Sequence, residues 1–279
     1  MKYINIATII EEINPRKLKP LPGFIIKWIE KIIRQEEMNR ILTKYSDFQG
    51  LDILTKIIEE LNIKIEVEGE VNLPENSKCF FLSNHPFGLI DGLVLTKIVG
   101  DKYHDLKSIG NEVFMYVPHL RPFIAAVNVF GKNSKEYINA LEKIYDSDVP
   151  ITHFPSGEVS RFYGSKIQDC PWHKSFITKA VSYKRDIVPF YVYGRNSRFF
   201  YFISFVRRVL GIKSNIELIL LPREMFRKKN KTIKIKIGQL IPHQKFDKSF
   251  SHWEWADKVR KYVYDLQGNP VNKINFWPK

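Results

Sequence analysis

From residue 63 onward, short apolar runs alternate with longer stretches whose apolar residues recur every three or four positions. No other feature restricts the fold as much. A short apolar run bounded by turn residues reads as a buried strand, and a period of about 3.6 residues reads as a helix. Their alternation selects an α/β fold, a mainly parallel central sheet flanked by helices. Strands are expected over 63–68, 79–82, 125–130, 149–154, 187–193, 216–221 and 232–238. The last, TIKIKIG, alternates as a half-exposed edge strand would. Helices are expected from Gly92 onward and over 134–145, 172–183 and 250–266.

Residues 1–62 read as helical throughout. Lys19-Pro20-Leu21-Pro22-Gly23 is a break. After it, Phe24, Ile25, Trp28, Ile29, Ile32 and Ile33 make a wide apolar stripe opposite Lys27, Glu30, Lys31 and Arg34. Such a stripe suits a core or a membrane interface. Two more helices are expected over 38–45 and 52–61. The expected organisation is a helical N-terminal extension over 1–62 and one α/β domain over 63–279.

The stretch 78–92, KCFFLSNHPFGLIDG, carries the first candidate chemistry. Phe80, Phe81 and Leu82 form a strand that Ser83 and Asn84 end. His85 then falls in a turn shaped by Pro86 and Gly88, and Asp91 at or just before the next helix. A carboxylate there is stabilised by unpaired N–H groups and the helix dipole, by about 0.3–1 kcal/mol. An aspartate facing an imidazole fixes its tautomer and makes the other ring nitrogen a better general base. With no Ser or Cys nucleophile beside it, such a pair points to activation of a substrate's own hydroxyl or amine. The same residues also fit an N-cap aspartate and a polar turn histidine, and this stretch alone leaves both readings open.

A second turn, FPSGEVSR at 154–161, again follows an expected strand. Pro155 and Gly157 shape it so that backbone N–H groups could face a phosphate or oxyanion. Glu158 and Arg161 add opposite charges three residues apart, as an ordinary surface turn also would.

Charge narrows the partners. The chain has 44 Lys and Arg against 30 Asp and Glu, a net +14. That surplus favours nucleic acid, an anionic membrane or an acidic carrier protein. Residues 195–236 hold twelve Lys and Arg against Glu217 and Glu224 alone. Interleaved is FFYFISFV at 199–206, bounded by Arg195, Arg198, Arg207 and Arg208. This run suits a lipid headgroup interface, stacked single-stranded nucleic acid, or a buried aromatic helix with a basic rim. No nucleic-acid module is recognisable, so no such partner is expected. Cys79 and Cys170 give neither a disulfide framework nor metal-ligand spacing, and no metal is expected. Residues 1–14 lack a signal-peptide pattern, and no run approaches the ~18–20 apolar residues needed to span a bilayer. The expected location is cytoplasmic, with any membrane met from the surface.

Taken together, the two turns resemble those of the lysophospholipid acyltransferase superfamily. Its members carry an Asn-His-then-Asp motif after one strand and a Phe-Pro-x-Gly motif after a later one. Asn84-His85-Pro86-Phe87-Gly88-Leu89-Ile90-Asp91 is similar to the first, and Phe154-Pro155-Ser156-Gly157 to the second. Asp91 follows His85 by six positions rather than the common five, and Ser156 stands where Glu is common. Both departures resemble the ornithine-lipid and glycine-lipid N-acyltransferases, a branch often labelled hemolysin-like, with NHPxGxxDG and FPxGxxSR forms. The likeness extends through 172–196 and 222–226.

The resemblance implies an interfacial enzyme moving a fatty acyl group from acyl carrier protein or coenzyme A to an amino acid amine. It implies His85 as general base and Asp91 as its orienting partner. Asn84, Ser156 and Gly157 are implied to line the substrate, with Gly157 and neighbouring N–H groups holding the thioester oxyanion. Arg161, with Arg195, is implied to bind the acceptor's carboxylate or phosphate, and Glu158 to steer its ammonium. The implied partners are an acyl carrier protein, an anionic surface at the inner face of the cytoplasmic membrane, and an amino acid or lysolipid acceptor. No bound cofactor is implied. Two other functions stay open: a lysophosphatidate or other lysolipid O-acyltransferase, and a non-enzymatic membrane-active protein.

Overall fold

The computed structural model describes residues 3–8, 22–111, 114–115, 117–127, 135–213, 215–269 and 276. Its strands are β1 Lys64–Glu68, β2 Cys79–Ser83, β3 Lys107–Asn111, β4 Ile124–Val127, β5 Ile151–His153, β6 Arg161–Tyr163, β7 Lys166–Gln168, β8 Asp186–Val192 and β9 Thr232–Ile237. β6 and β7 form a separate antiparallel hairpin. The other seven form one sheet in the order β1-β9-β8-β2-β5-β3-β4. Five of its six junctions are parallel, and only β8–β9 is antiparallel. The longer helices are α1 Gly23–Ile32, α2 Gln35–Lys44, α3 Leu51–Glu60, α4 Leu89–Tyr103, α5 Lys135–Asp146, α6 Ser175–Tyr183, α7 Arg198–Val209, α8 Leu221–Phe226 and α9 His252–Asp265.

β2 shows why the layers form. Every residue in it is buried, because helices cover the sheet on both sides, as parallel sheets require. Side chains alternate, so Cys79 and Phe81 face one layer while Phe80 and Leu82 face the other. The first layer joins Phe81, Val188 and Phe190 to Ile29, Ile33, Ile53, Leu54 and Val94. Helices α1–α4 therefore share one hydrophobic cluster with the sheet. The opposite layer joins Phe80, Leu82, Ile151 and Ile187 to Phe176 and Ile177 of α6 and Trp255, Val259 and Val263 of α9.

The expected architecture is the one the chain adopts, with four differences. Residues 216–221 are not a strand: Ile216–Leu220 is a 3-10 turn leading into α8. The turn is needed to bring Glu217 inward against two arginines, described below. β9 is not an edge strand, since β1 and β8 flank it. Its alternation has another cause: Lys234 and Lys236 pair with Glu66 and Glu68 of β1. β3, carrying Ser108 and Gly110, and the β6–β7 hairpin have no apolar run long enough to announce them. Finally, the stripe on α1 divides, with Ile29 and Ile33 buried and Phe24 and Trp28 exposed. Most of the expected break at 19–23, the end of the 125–130 strand and the start of the 134–145 helix lie outside the described residues.

Candidate active site

β2 and β5 are neighbours in the sheet and run parallel. The two motif turns, about seventy residues apart in sequence, therefore leave the same edge side by side, the crevice where α/β sheets bind ligands. The Phe154 ring stacks on the His85 imidazole, centroids 4.1 Å apart and planes at 22°. The Ser160 N–H donates to the His85 carbonyl at 2.8 Å.

His85 and Asp91 come together as the spacing predicts. Asp91 is in the first turn of α4, wholly buried, and its Oδ2 accepts the Phe87 and Gly88 N–H groups at 2.7 and 2.8 Å. His85 Nδ1 lies 3.0 Å from the same oxygen. The approach is off the line of a formed hydrogen bond, leaving Nδ1 and Asp91 Oδ1 without an aligned partner. Catalytic hydrogen bonds in unliganded sites are often loose in this way and tighten on substrate. The carboxylate beside Nδ1 favours a proton there and a lone pair on Nε2. Packing fixes the turn: a Cβ on Gly194 would fall 2.0 Å from the Phe87 ring, so only glycine lets the β8–α7 loop approach.

Several site residues are engaged otherwise than the motif resemblance implies. Asn84 does not line an open site; its Oδ1 accepts from Val192 N at 2.7 Å and its Nδ2 donates to Val192 O at 3.0 Å. It clamps the end of β2 to the end of β8. Ser156 is buried and donates to the Glu158 carbonyl. The Gly157 N–H closes the turn on the Phe154 carbonyl at 3.0 Å, so it does not point at an oxyanion. Glu158, partly exposed, accepts from Asn215 and lies 3.3 Å from Arg161 Nη1.

Arg161 is buried, not a surface residue. Its Nε donates to Glu217 at 2.7 Å and its Nη1 to the Val159 carbonyl, while Nη2 is buried without a partner. Arg207 Nε lies 2.9 Å from the other Glu217 oxygen, again off a hydrogen-bond line. Arg195 is exposed in the β8–α7 loop, where its carbonyl accepts from Lys228 Nζ. That ammonium lies 4.2 Å over the Phe87 ring, and burial lowers its pKa.

Asp169 is the residue that sequence reasoning missed. Wholly buried, it accepts from His85 N, Ser160 Oγ and Trp172 Nε1 at 3.2, 2.5 and 2.9 Å. One carboxyl thus ties the histidine turn to the second turn and to the segment before α6. Burial raises its pKa, against the opposing pull of those donors. It sits 84 positions from His85, so no local pattern signals it.

His153, at the end of β5, is enclosed. Burial first, then the nearby His173 and His85, push its pKa down to about 4. Although the residue keeps some surface, its Nδ1 has none. The unfolded chain binds this proton near pH 6.5. Between about pH 6.5 and 4 the unfolded state therefore holds more protons, and stability falls as pH falls. In thermal unfolding, wild type is expected to lose more midpoint than His153→Gln between pH 6.5 and 4.5; parallel curves would refute this.

The Acyltransferase family profile matches residues 8–272, and the chain belongs to that family. Two proteins named lyso-glycine lipid O-acyltransferase, from Phocaeicola vulgatus and Bacteroides thetaiotaomicron, are each 38% identical to it over 264 residues. The match covers 94% of this chain and 95% and 97% of theirs. This chain is thus an acyltransferase of lipid biosynthesis. A crystal structure of a 1-acyl-sn-glycerophosphate acyltransferase from Thermotoga maritima is similar at a TM-score of 0.44 and 15% identity, covering 92% of this chain and 95% of that one.

Proposed function

We propose that this acyltransferase moves a fatty acyl group from an acyl thioester to the free hydroxyl of a lyso-glycine-type lipid. The observation carrying the acceptor is the near-full-length identity to two proteins named for that O-acylation. It moves the hydroxyl ahead of the amino acid amine that the motif resemblance puts first. His85 Nε2 takes the hydroxyl proton as the oxygen bonds to the thioester carbon. The tetrahedral adduct then expels the thiolate, which recovers the proton from His85. Asp91 orients the imidazole and offsets its positive charge in between.

Direct transfer is favoured over an acyl-enzyme because nearby nucleophiles are engaged. The hydroxyls of Ser83, Ser156 and Ser160 donate to the Asn84 carbonyl, the Glu158 carbonyl and Asp169. The Cys170 thiol donates to the Ser156 carbonyl, and burial raises its pKa, away from a reactive thiolate. Arg161 Nη2, buried without a partner, suits one oxygen of the acceptor's headgroup carboxylate. The donor is acyl carrier protein or coenzyme A. The protein works peripherally, at the inner face of the cytoplasmic membrane; among the described residues no helix is long and apolar enough to cross one.

The test supplies purified protein with acyl-carrier-protein and coenzyme A thioesters and three acceptors: lyso-glycine lipid, lysophosphatidate and free glycine. An ester of the lyso-glycine lipid, detected by mass spectrometry, is the expected main product. An amide on glycine, or lysophosphatidate as the preferred acceptor, would overturn the assignment. So would vesicle lysis without any acylated product.

A further inference from the structure

Helix α7 is apolar on two faces: Phe200 and Tyr201 are buried, and a second stripe is exposed. Phe199, Phe202, Phe205 and Val209 form one stripe and are 42%, 59%, 58% and 67% exposed. Ser204 and Arg207 face inward, where Arg207 meets buried Glu217. Turning the helix to bury this second stripe would lift Phe200, Tyr201 and Arg207 out of the interior. Its register is held by the burial of Phe200 and Tyr201, by the Arg207–Glu217 contact and by the Ser197 cap on its first turn. The stripe continues past the helix at exposed Leu210 and Ile212.

The exposed charges of the segment 195–236 carry one sign. Glu217 and Glu224 are the only acids in 195–236, and both are buried. Every exposed charge in that segment is therefore positive. Arg223 lies over the Phe199 ring at 5.1 Å. It also lines a groove of about 430 Å³ with Arg227 of the neighbouring turn and Trp28, Lys31, Ile32 and Arg34 at α1. Trp28, which lines the groove, and Phe24, about one turn earlier on α1, are 62% and 74% exposed. Ile32 packs on the cluster of Phe200, Tyr201, Leu220 and Val159, which joins this face to the second motif turn. Arg34 pairs with Glu37 and Arg223 with buried Glu224, but the charged side chains lining the groove are all cations. With exposed aromatic rings beside them they match a bilayer interface, rings at the acyl boundary and cations at the phosphates.

We propose that the α1–α7 face docks on an anionic phospholipid surface, its phenylalanines inserted and the Lys31–Arg34–Arg223–Arg227 groove taking headgroup phosphates. This rests on the reading of the protein as an enzyme acting at a lipid surface, and it names the surface that touches lipid. The face packs on the second motif turn through the cluster of Val159, Phe200, Tyr201 and Leu220.

Co-sedimentation with mixed phosphatidylglycerol–phosphatidylcholine vesicles tests it without any acyl acceptor, so its failure is separable from failure of the acyl-transfer reading. Wild type is expected to bind these vesicles and not pure phosphatidylcholine. The pair Phe202→Ser and Phe205→Ser, which alters only exposed side chains, is expected to weaken binding at least tenfold, roughly. Lys31→Gln with Arg227→Gln is expected to weaken it roughly fivefold per charge at low salt. Transfer to a short-chain acceptor dispersed as monomers is expected to be unchanged in both pairs. Vesicle binding equal to wild type in the phenylalanine pair would overturn the proposal. So would loss of acyl carrier protein binding with vesicle binding intact, which would assign the face to a protein partner.

Discussion

Replacing His85 with alanine is expected to lower acyl transfer by about 10²–10⁴-fold, the range a positioned general base contributes. The fold should survive, because the bonds by which this residue holds the structure belong to its backbone. Its N–H donates to Asp169 and its carbonyl accepts from Ser160, and alanine keeps both. Only the stack on Phe154 is lost from the packing. Circular dichroism and vesicle binding should therefore match wild type while product formation in the acceptor assay collapses. Imidazole added to the buffer should restore part of the rate, since it supplies the missing base without covalent attachment. A His85→Ala protein keeping a third or more of wild-type transfer would show that the proton goes elsewhere.

Asp91→Asn is a gentler change and separates two roles. The asparagine keeps one oxygen to accept from Phe87 and Gly88 N–H groups, so the helix start should hold. It removes the charge that faces His85 Nδ1 at 3.0 Å. Its rate should fall between those of wild type and His85→Ala.

How far the site was legible depends on the distance over which each residue is held. His85 and Asp91 were legible because six residues of strand end, turn and helix start determine their meeting. The sheet was legible because β2 and, after Asp186, β8 are buried on both faces and read as nearly continuous apolar runs, whereas β5 is the short run Ile151-Thr152-His153. Asn84 looked like a substrate contact because its motif is local, whereas its partner Val192 lies 108 positions away. Asp169 gave no sign for the same reason. Residues 216–221 looked like a strand because isoleucine and leucine dominate them. What decides their shape is the single buried charge at Glu217, and a carboxylate buried at that position must meet its cations whatever the local preference. The aromatic run at 199–206 was legible as a helix or interface, but its register was not. That register follows from the burial of Phe200 and Tyr201 together with Arg207, which reaches the same carboxylate.

Glu217→Ala is accordingly expected to cost about 3–5 kcal/mol of stability, the usual loss when one partner of a buried ion cluster is removed. Arg161 and Arg207, both nine-tenths or more buried, would then keep as counter-charge only the half-exposed Glu158, 3.3 Å from Arg161 Nη1. At roughly 2–4 °C per kcal/mol for a chain near this size, the unfolding midpoint should drop by about 10 °C. Replacing all three together tests whether the cluster serves stability or the reaction. With Arg161→Met, Arg207→Met and Glu217→Leu combined, no charge remains unpaired, and such exchanges are often neutral or stabilising. The triple variant should therefore regain most of the lost midpoint. It should not regain activity, because Arg161 Nη2, the one guanidinium nitrogen of that residue left without a partner, is gone. The defect should appear as a raised KM for the lyso-lipid with the donor's KM unchanged, measured by initial rates. A triple variant with wild-type KM for the acceptor would make the Arg161–Glu217–Arg207 cluster a structural device alone, and the acceptor's carboxylate would then need another cation, for which exposed Arg195 is the next to replace.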